Sequence, residues 1–142
     1  MSRYFLAKTD PETYSIRDFS NDQETNWDGV HNFQAIAVIK KWDIGDMVLI
    51  YHSQGEAKIV GLAEVVSQPE KDLNDKKGIS WYAKLRFVKE FNEAQKISLK
   101  EVKSSGFFND FALVRQSRLS TMECPIEFIE WLKIKGVDFS YL

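Results

Sequence analysis

Apolar positions along this chain recur in two rhythms, and the breaks between them divide it into short strands and helices. Residues 4–8 are aromatic and apolar and run into the turn signal Thr9-Asp10-Pro11, which predicts a first strand. Ser15, with Asp18 three positions on, has the spacing of a reciprocal cap and predicts one helical turn over 15–19. Across 33–42, Ala35, Val38, Ile39 and Trp42 fall at i, i+3, i+4 and i+7, so one face of a helix is buried. Gly45-Asp46 ends that helix. The continuous apolar runs 47–51 and 58–66, joined by the polar turn His52-Ser53-Gln54-Gly55-Glu56, predict an antiparallel hairpin buried on both faces. Gly61 inside the second run predicts a bulge or bend where the sheet curls.

The polar, lysine- and aspartate-rich stretch 68–80 reads as a mobile surface loop. Strand alternation returns over 81–91, where Trp81, Ala83, Leu85 and Phe87 interleave with Tyr82, Lys84, Arg86 and Val88. Ser98 and Glu101 predict a second reciprocally capped helix over 98–104. Residues 113–123 mix strand-like pieces with Arg115-Gln116-Ser117-Arg118. A last helix opens with Pro125 as its first residue, presents Ile126, Ile129 and Leu132 on one face, and ends at Gly136. Nothing repeats and no linker divides the chain. The expectation is a single α+β domain, about five strands curled into a partial barrel with helices outside.

Composition narrows the function classes. The chain has 142 residues, 44% hydrophobic and 13% aromatic, which suits one folded domain. A net charge of -2 argues against gripping long stretches of phosphate backbone, although a pocket for one base stays compatible. Cys124 is the only cysteine, so no intrachain disulfide can form and a reducing compartment fits. It reads as an inert, partly buried thiol. His31 and His52 lack any metal-ligand spacing, so neither a metal nor another cofactor is expected. With no run long enough to span a membrane and an apolar start too short for a signal peptide, the expected setting is cytoplasmic, away from membranes.

The stretch with the most chemistry is Thr25-Asn26-Trp27-Asp28-Gly29-Val30-His31-Asn32. An indole offers a flat face for another ring, and an asparagine amide both donates and accepts hydrogen bonds. Together they suit a planar heterocycle such as a nucleobase. From the residues alone Trp27 reads first as a core or lid residue, and Asn32 also as the cap of the helix that follows.

The chain resembles the EVE domain, a member of the PUA-like superfamily and a relative of the YTH domain. The resemblance lies in Tyr4-Phe5-Leu6-Ala7-Lys8-Thr9-Asp10-Pro11, then Trp27-Asp28-Gly29-Val30-His31-Asn32-Phe33-Gln34-Ala35. It continues through Gly45-Asp46, Tyr51-His52-Ser53, Gly61-Leu62-Ala63-Glu64-Val65, Trp81-Tyr82, Arg86-Phe87-Val88 and Leu113-Val114-Arg115-Gln116-Ser117-Arg118-Leu119-Ser120. It implies a non-catalytic reader of a modified nucleobase in DNA or RNA, methylated cytosine or adenine in type; separately, a monomer is expected, although the sequence does not fix the oligomeric state. Trp27 would stack on the extruded base, with Trp81 as a second wall or as an ordinary strand tryptophan. Thr9 and Asp10 stand where YTH relatives contact the base edge, and are otherwise a simple turn. Asn32 and Ser53 would read further polar atoms. Arg115 and Arg118 would meet the neighbouring phosphate or sugar, unless they merely pair with acids at the surface.

Two departures from the family stand out. His31 replaces a common arginine, which makes any charge there dependent on pH, and Cys124 replaces a helix-capping threonine. Two other functions compete. An enzyme could be imagined around Asp28, Glu64 and His52, but no nucleophile–base–orienter set supports it. A protein-interaction domain would want an exposed apolar patch, and none is legible in the sequence.

Overall fold

In the computed structural model, which describes residues 3–55 and 57–141, the strands send alternate side chains into two cores on opposite faces of one curled sheet. Met1, Ser2 and Glu56, part of the expected start and hairpin turn, lie outside the described residues. The elements run β1 (Tyr4–Thr9), α1 (Ile16–Asp22), β2 (Glu24–Trp27), α2 (Phe33–Ile39), β3 (Met47–His52) and β4 (Lys58–Val65). They continue as β5 (Glu70–Lys71), β6 (Trp81–Glu90), β7 (Ile97–Ser98), α3 (Leu99–Ser105), α4 (Ala112–Arg115), β8 (Thr121–Glu123) and α5 (Ile126–Ile134). The strand order is β2-β6-β4-β3-β1-β8, with β5 beside β6 and β7 beside β4. Among the described residues only β1 and β3 pair in parallel, Tyr4 opposite Met47 through Thr9 opposite His52; the other pairs are antiparallel. The result is the expected α+β architecture, a half-barrel with flanking helices.

One core gathers Leu6, Leu49, Tyr51, Ile59 and Leu62 against Val102, Leu113, Phe128, Ile129 and Leu132 of α3, α4 and α5. Phe128 anchors it, with ring centroids 4.7 Å from Phe111 and 5.2 Å from Phe108. The other core gathers Phe5, Ala7, Val48, Ile50, Ala83 and Leu85 against Phe19 of α1 and Ile39 of α2, with Trp27 and Trp42. Strict alternation would send Leu62 toward the second core, but it joins Ile59 in the first. The register slip between Ile50 and Tyr51 on β3 explains this: one extra residue on β4 resets the phase. Gly61 sits at that slip, as its sequence position suggested. A Cβ there would stand 2.6 Å from Ile16 Cδ1 and 2.7 Å from the Lys89 carbonyl oxygen, so the bare backbone lets α1 and β6 close in.

Local signals set the helix starts. Ser15 and Asp18 form the reciprocal cap of α1, and Ser98 and Glu101 that of α3. Other expectations are corrected. α2 stops at Ile39, and Trp42 is buried in the turn beyond it. β2 was not anticipated, and 113–123 resolves into α4 and β8. Part of the 68–80 loop joins the sheet as β5, Glu70 opposite Tyr82 and Lys71 opposite Trp81. Pro125 is the N-cap of α5 rather than its first residue, which leaves Cys124 one position before the cap. Ile126 is 58% exposed, and Phe128 takes its place on the buried face. Among the described residues no helix is long and apolar enough to cross a membrane.

Gly61→Ala should destabilise the protein by about 1–3 kcal/mol, the usual cost of forcing atoms into a filled site. Urea unfolding at neutral pH measures it; an unchanged midpoint would show that Ile16 and β6 yield freely.

Candidate nucleic-acid interface

Beyond the end of β1 the backbone is held by its own polar groups. The Thr9 hydroxyl donates to the Tyr14 carbonyl at 2.7 Å, and the Asp10 carbonyl accepts from Thr13 and Tyr14 N–H at 2.9 and 2.8 Å. Asp10 Oδ1 accepts from Glu12 N–H at 2.9 Å, a side-chain turn of the kind aspartate favours. This locked turn delivers Tyr14 just ahead of α1. The first N–H of α1, on Ile16, has no partner inside its helix. It donates instead to His52 Nε2 at 3.0 Å, which ties α1 to the end of β3.

Tyr14, Phe19 and Trp27 then pack as a triad. Tyr14 and Trp27 meet edge to face at 6.5 Å and 75°, and Phe19 and Trp27 at 6.1 Å and 45°. The Tyr14 hydroxyl donates to Asp22 Oδ2 at 2.8 Å; burial chiefly pushes its pKa up to about 12, so it stays a neutral phenol. Trp27 ends β2 opposite Ala83 and is only 8% exposed, so it is a core residue that also lines a hollow.

After Trp27, Gly29 turns the chain with φ +75°, and two contacts pin the far side of the turn. Ser80 Oγ donates to the Val30 carbonyl at 2.7 Å. Asp75 accepts N–H groups from Ile79 at 3.0 Å and Ser80 at 2.9 Å and lies 3.6 Å from His31 Nδ1. Those backbone donors, Ser80 foremost, hold Asp75 below the ordinary carboxylate range. Asn32 Oδ1 then caps α2 by accepting from Ala35 N–H at 3.0 Å.

Between these walls lies a cavity of ≈ 540 Å³. Lys8, Thr9 and Asp10 line one side, Thr13 and Tyr14 the next, the run from Thr25 to Asn32 the third, and Ser120 the last. Lys8 N–H donates to the Ser120 carbonyl at 2.8 Å, and its Nζ donates to the Ser117 carbonyl at 3.0 Å and sits 5.4 Å above the Tyr51 ring. Burial lowers the Lys8 pKa, and among the described residues no carboxylate lies within ion-pair distance.

Of the residues singled out from sequence, the structure gathers Thr9, Asp10, Trp27 and Asn32. The other four stand outside the lining. Ser53 turns back on β1, its N–H and Oγ both directed at the Thr9 carbonyl, at 3.0 and 3.4 Å. Trp81 lies under Lys40 Nζ at 4.9 Å, two residues along β6 from Ala83, the partner of Trp27. Tyr14, and not Trp81, lines the cavity together with Trp27. Arg115 faces Asp110 at 3.4 Å and, like Arg118, is exposed, on the segment that leads to Ser120. The imagined acid–base trio is dispersed: Glu64 pairs with Arg86, His52 accepts from Ile16, and Asp28 borders the cavity. Lys8 and Ser120 were missed because their meeting depends on strand pairing across the chain, which no local signal announces.

The half-barrel with flanking helices is consistent with a PUA-like fold. The chain belongs to the EVE domain family, whose model matches residues 3–134. Rat thymocyte nuclear protein 1 is 33% identical over 84 residues, 51% of this chain but only 37% of the rat protein's length. The zebrafish protein of that name is 28% identical over 160 aligned positions, covering 90% of this chain and 69% of its own length. A hypothetical protein from Leishmania major superposes with TM-score 0.84 at 28% identity, covering 95% of each chain. Human THYN1, solved with 5-methylcytosine-containing DNA, shares the fold at TM-score 0.82 and 24% identity, covering 96% of this chain and 99% of that one. The MmI1 YTH domain shares it more distantly, at TM-score 0.54 and 17% identity over 94% of each.

The His52 contact carries a pH signature. Burial, reinforced by Lys96 and Lys58 and opposed by Glu90, holds its folded-state pKa below the ordinary 6.5. As pH falls the unfolded chain takes up this proton first, so the stability present above pH 6.5 is lost from there down through the folded-state pKa. His52→Gln, which keeps an acceptor for Ile16, should flatten that decline in urea midpoints measured as a function of pH. A slope unchanged by the substitution would remove His52 as its source.

Proposed function

We propose that this domain is a non-catalytic reader that holds one modified nucleobase, methylated cytosine or adenine in type, turned out of a DNA or RNA strand. One observation carries the reading: a ≈ 540 Å³ hollow lined by Trp27 and Tyr14 together with Asp10, Asn32 and Lys8. Stacking on such a ring contributes roughly 1–3 kcal/mol per base. The Asp10 oxygen left over from its turn is an acceptor for an exocyclic amino group, and the Asn32 NH₂ and Lys8 ammonium are donors for ring nitrogens or carbonyls. Arg115 and Arg118, leading to Ser120, supply the contact to an adjoining phosphate. The human THYN1 complex with 5-methylcytosine DNA supports this reading through a shared fold. We take 1–142 as a single EVE domain acting as a monomer in the cytoplasm. A reducing setting suits Cys124, whose thiol burial pushes up and out of reactive range.

A panel of methylated and plain nucleosides, followed by tryptophan quenching, tests the reading. At least one methylated nucleoside should bind, and Asp10→Asn should weaken it about tenfold, or ~1.4 kcal/mol. Trp27→Phe should also weaken binding while keeping the packing, whereas alanine there would open the core. No response to any nucleoside sinks the proposal. With two arginines at phosphates, the log–log salt slope for a modified oligonucleotide should be no steeper than about −2.

A further inference from the structure

Phe33 is the first residue of α2, and the residue is 73% exposed. Among the exposed large apolar residues of the described chain, it alone directly follows a residue that lines the cleft. Nothing in the core explains it. At 3.6 residues per turn it lies about 200° around the helix from Ala35, which is fully buried, so the ring is turned outward. Its backbone lies at the capped start of α2. Asn32 caps the helix through Oδ1 to Ala35 N–H at 3.0 Å, and the Asn32 carbonyl accepts from Ile36 N–H at 2.9 Å. A flat apolar ring is thus held in water one residue from a hollow that we read as taking a single base.

We propose that Phe33 is a wedge for double-stranded nucleic acid: it enters the gap left in the stack when the neighbouring nucleotide turns into the cleft. This rests on the base-reading proposal and adds the duplex as the substrate class. Extruding a base strips two neighbours of their stacking partner, and an aromatic side chain inserted between base steps replaces part of what is lost. The wedge therefore acts on the duplex and not on the base in the cleft. A free nucleoside has no stack to refill, so Phe33 should matter only when a strand partner is present.

The test compares wild type, Phe33→Ala and Phe33→Trp on two probes. One is the methylated nucleoside that binds best; the other is a short DNA duplex carrying that base once, with 2-aminopurine beside it to report unstacking. Phe33→Ala should leave nucleoside affinity unchanged, weaken duplex binding about tenfold and abolish most of the fluorescence rise. Phe33→Trp should restore both duplex readings. Equal duplex affinity and fluorescence for wild type and Phe33→Ala overturn the wedge and leave the base reading standing. Equal losses on nucleoside and duplex also overturn it, since Phe33 would then belong to the cleft itself. If wild type binds no nucleoside, the base reading fails and the wedge falls with it.

Discussion

The approach of α1 onto β4 at Gly61 sets where the walls of the cleft stand. Ile16 reaches the β4 backbone because no Cβ is in the way, and its N–H reaches His52 at the end of β3. With that anchor in place, the turn before α1 sets Tyr14 against Trp27, and the strand after α1 carries Trp27 itself. The bulge beside this glycine resets the alternation of β4, so that Ile59 and Leu62 face one core while Val60 and Ala63 face the other. A side chain at position 61 would press on helix and sheet together, and the aromatic wall is built on both.

Under the proposed reading, packing and recognition are not rival explanations of Trp27. An exposed indole that closes on a ligand loses rotamer freedom as it does so, and that loss is subtracted from affinity. Held by Tyr14 and Phe19 and almost fully buried, Trp27 has already lost it during folding. The fixed ring offers less surface to a ligand, but each part of that surface is in place beforehand. The same holds for Asn32, whose oxygen is spent on the cap of α2 while its NH₂ remains to donate. The cap fixes the direction of the donor.

What could be read from the residues follows the range of the interactions. Both reciprocal caps and the Asn32 cap span three residues, and all three formed where they were expected. The long strands were legible because alternation or unbroken burial repeats along them. β2 was not, because Glu24 to Asn26 are polar, lie on an edge strand and bury only Trp27 fully. The site divided in the same way. Thr9, Asp10, Trp27 and Asn32 belong to continuous motifs and came together, whereas Ser53 and Trp81 were joined to them by motif order, which carries no register. Lys8 meets Ser120 only through the β1–β8 edge, a pairing across more than a hundred residues that composition cannot reveal.

The energetics of a methyl group constrain what such a cleft can achieve. Burying one methyl against aromatic faces contributes about 0.8 kcal/mol, close to a fourfold preference over the plain base. A site that only adds apolar contact therefore discriminates weakly. Stronger selectivity requires the unmodified base to forfeit something polar, and the cleft has groups that could impose this. Asp10 and Lys8 stand on one strand end, an acceptor beside a half-buried cation that no described carboxylate neutralises. A base that sits too deep or too shallow leaves one of them desolvated without a partner, which costs more than the methyl contributes. In the proposed reader, then, the rings set how deeply a base enters, and the polar pair converts an error in depth into a loss of affinity.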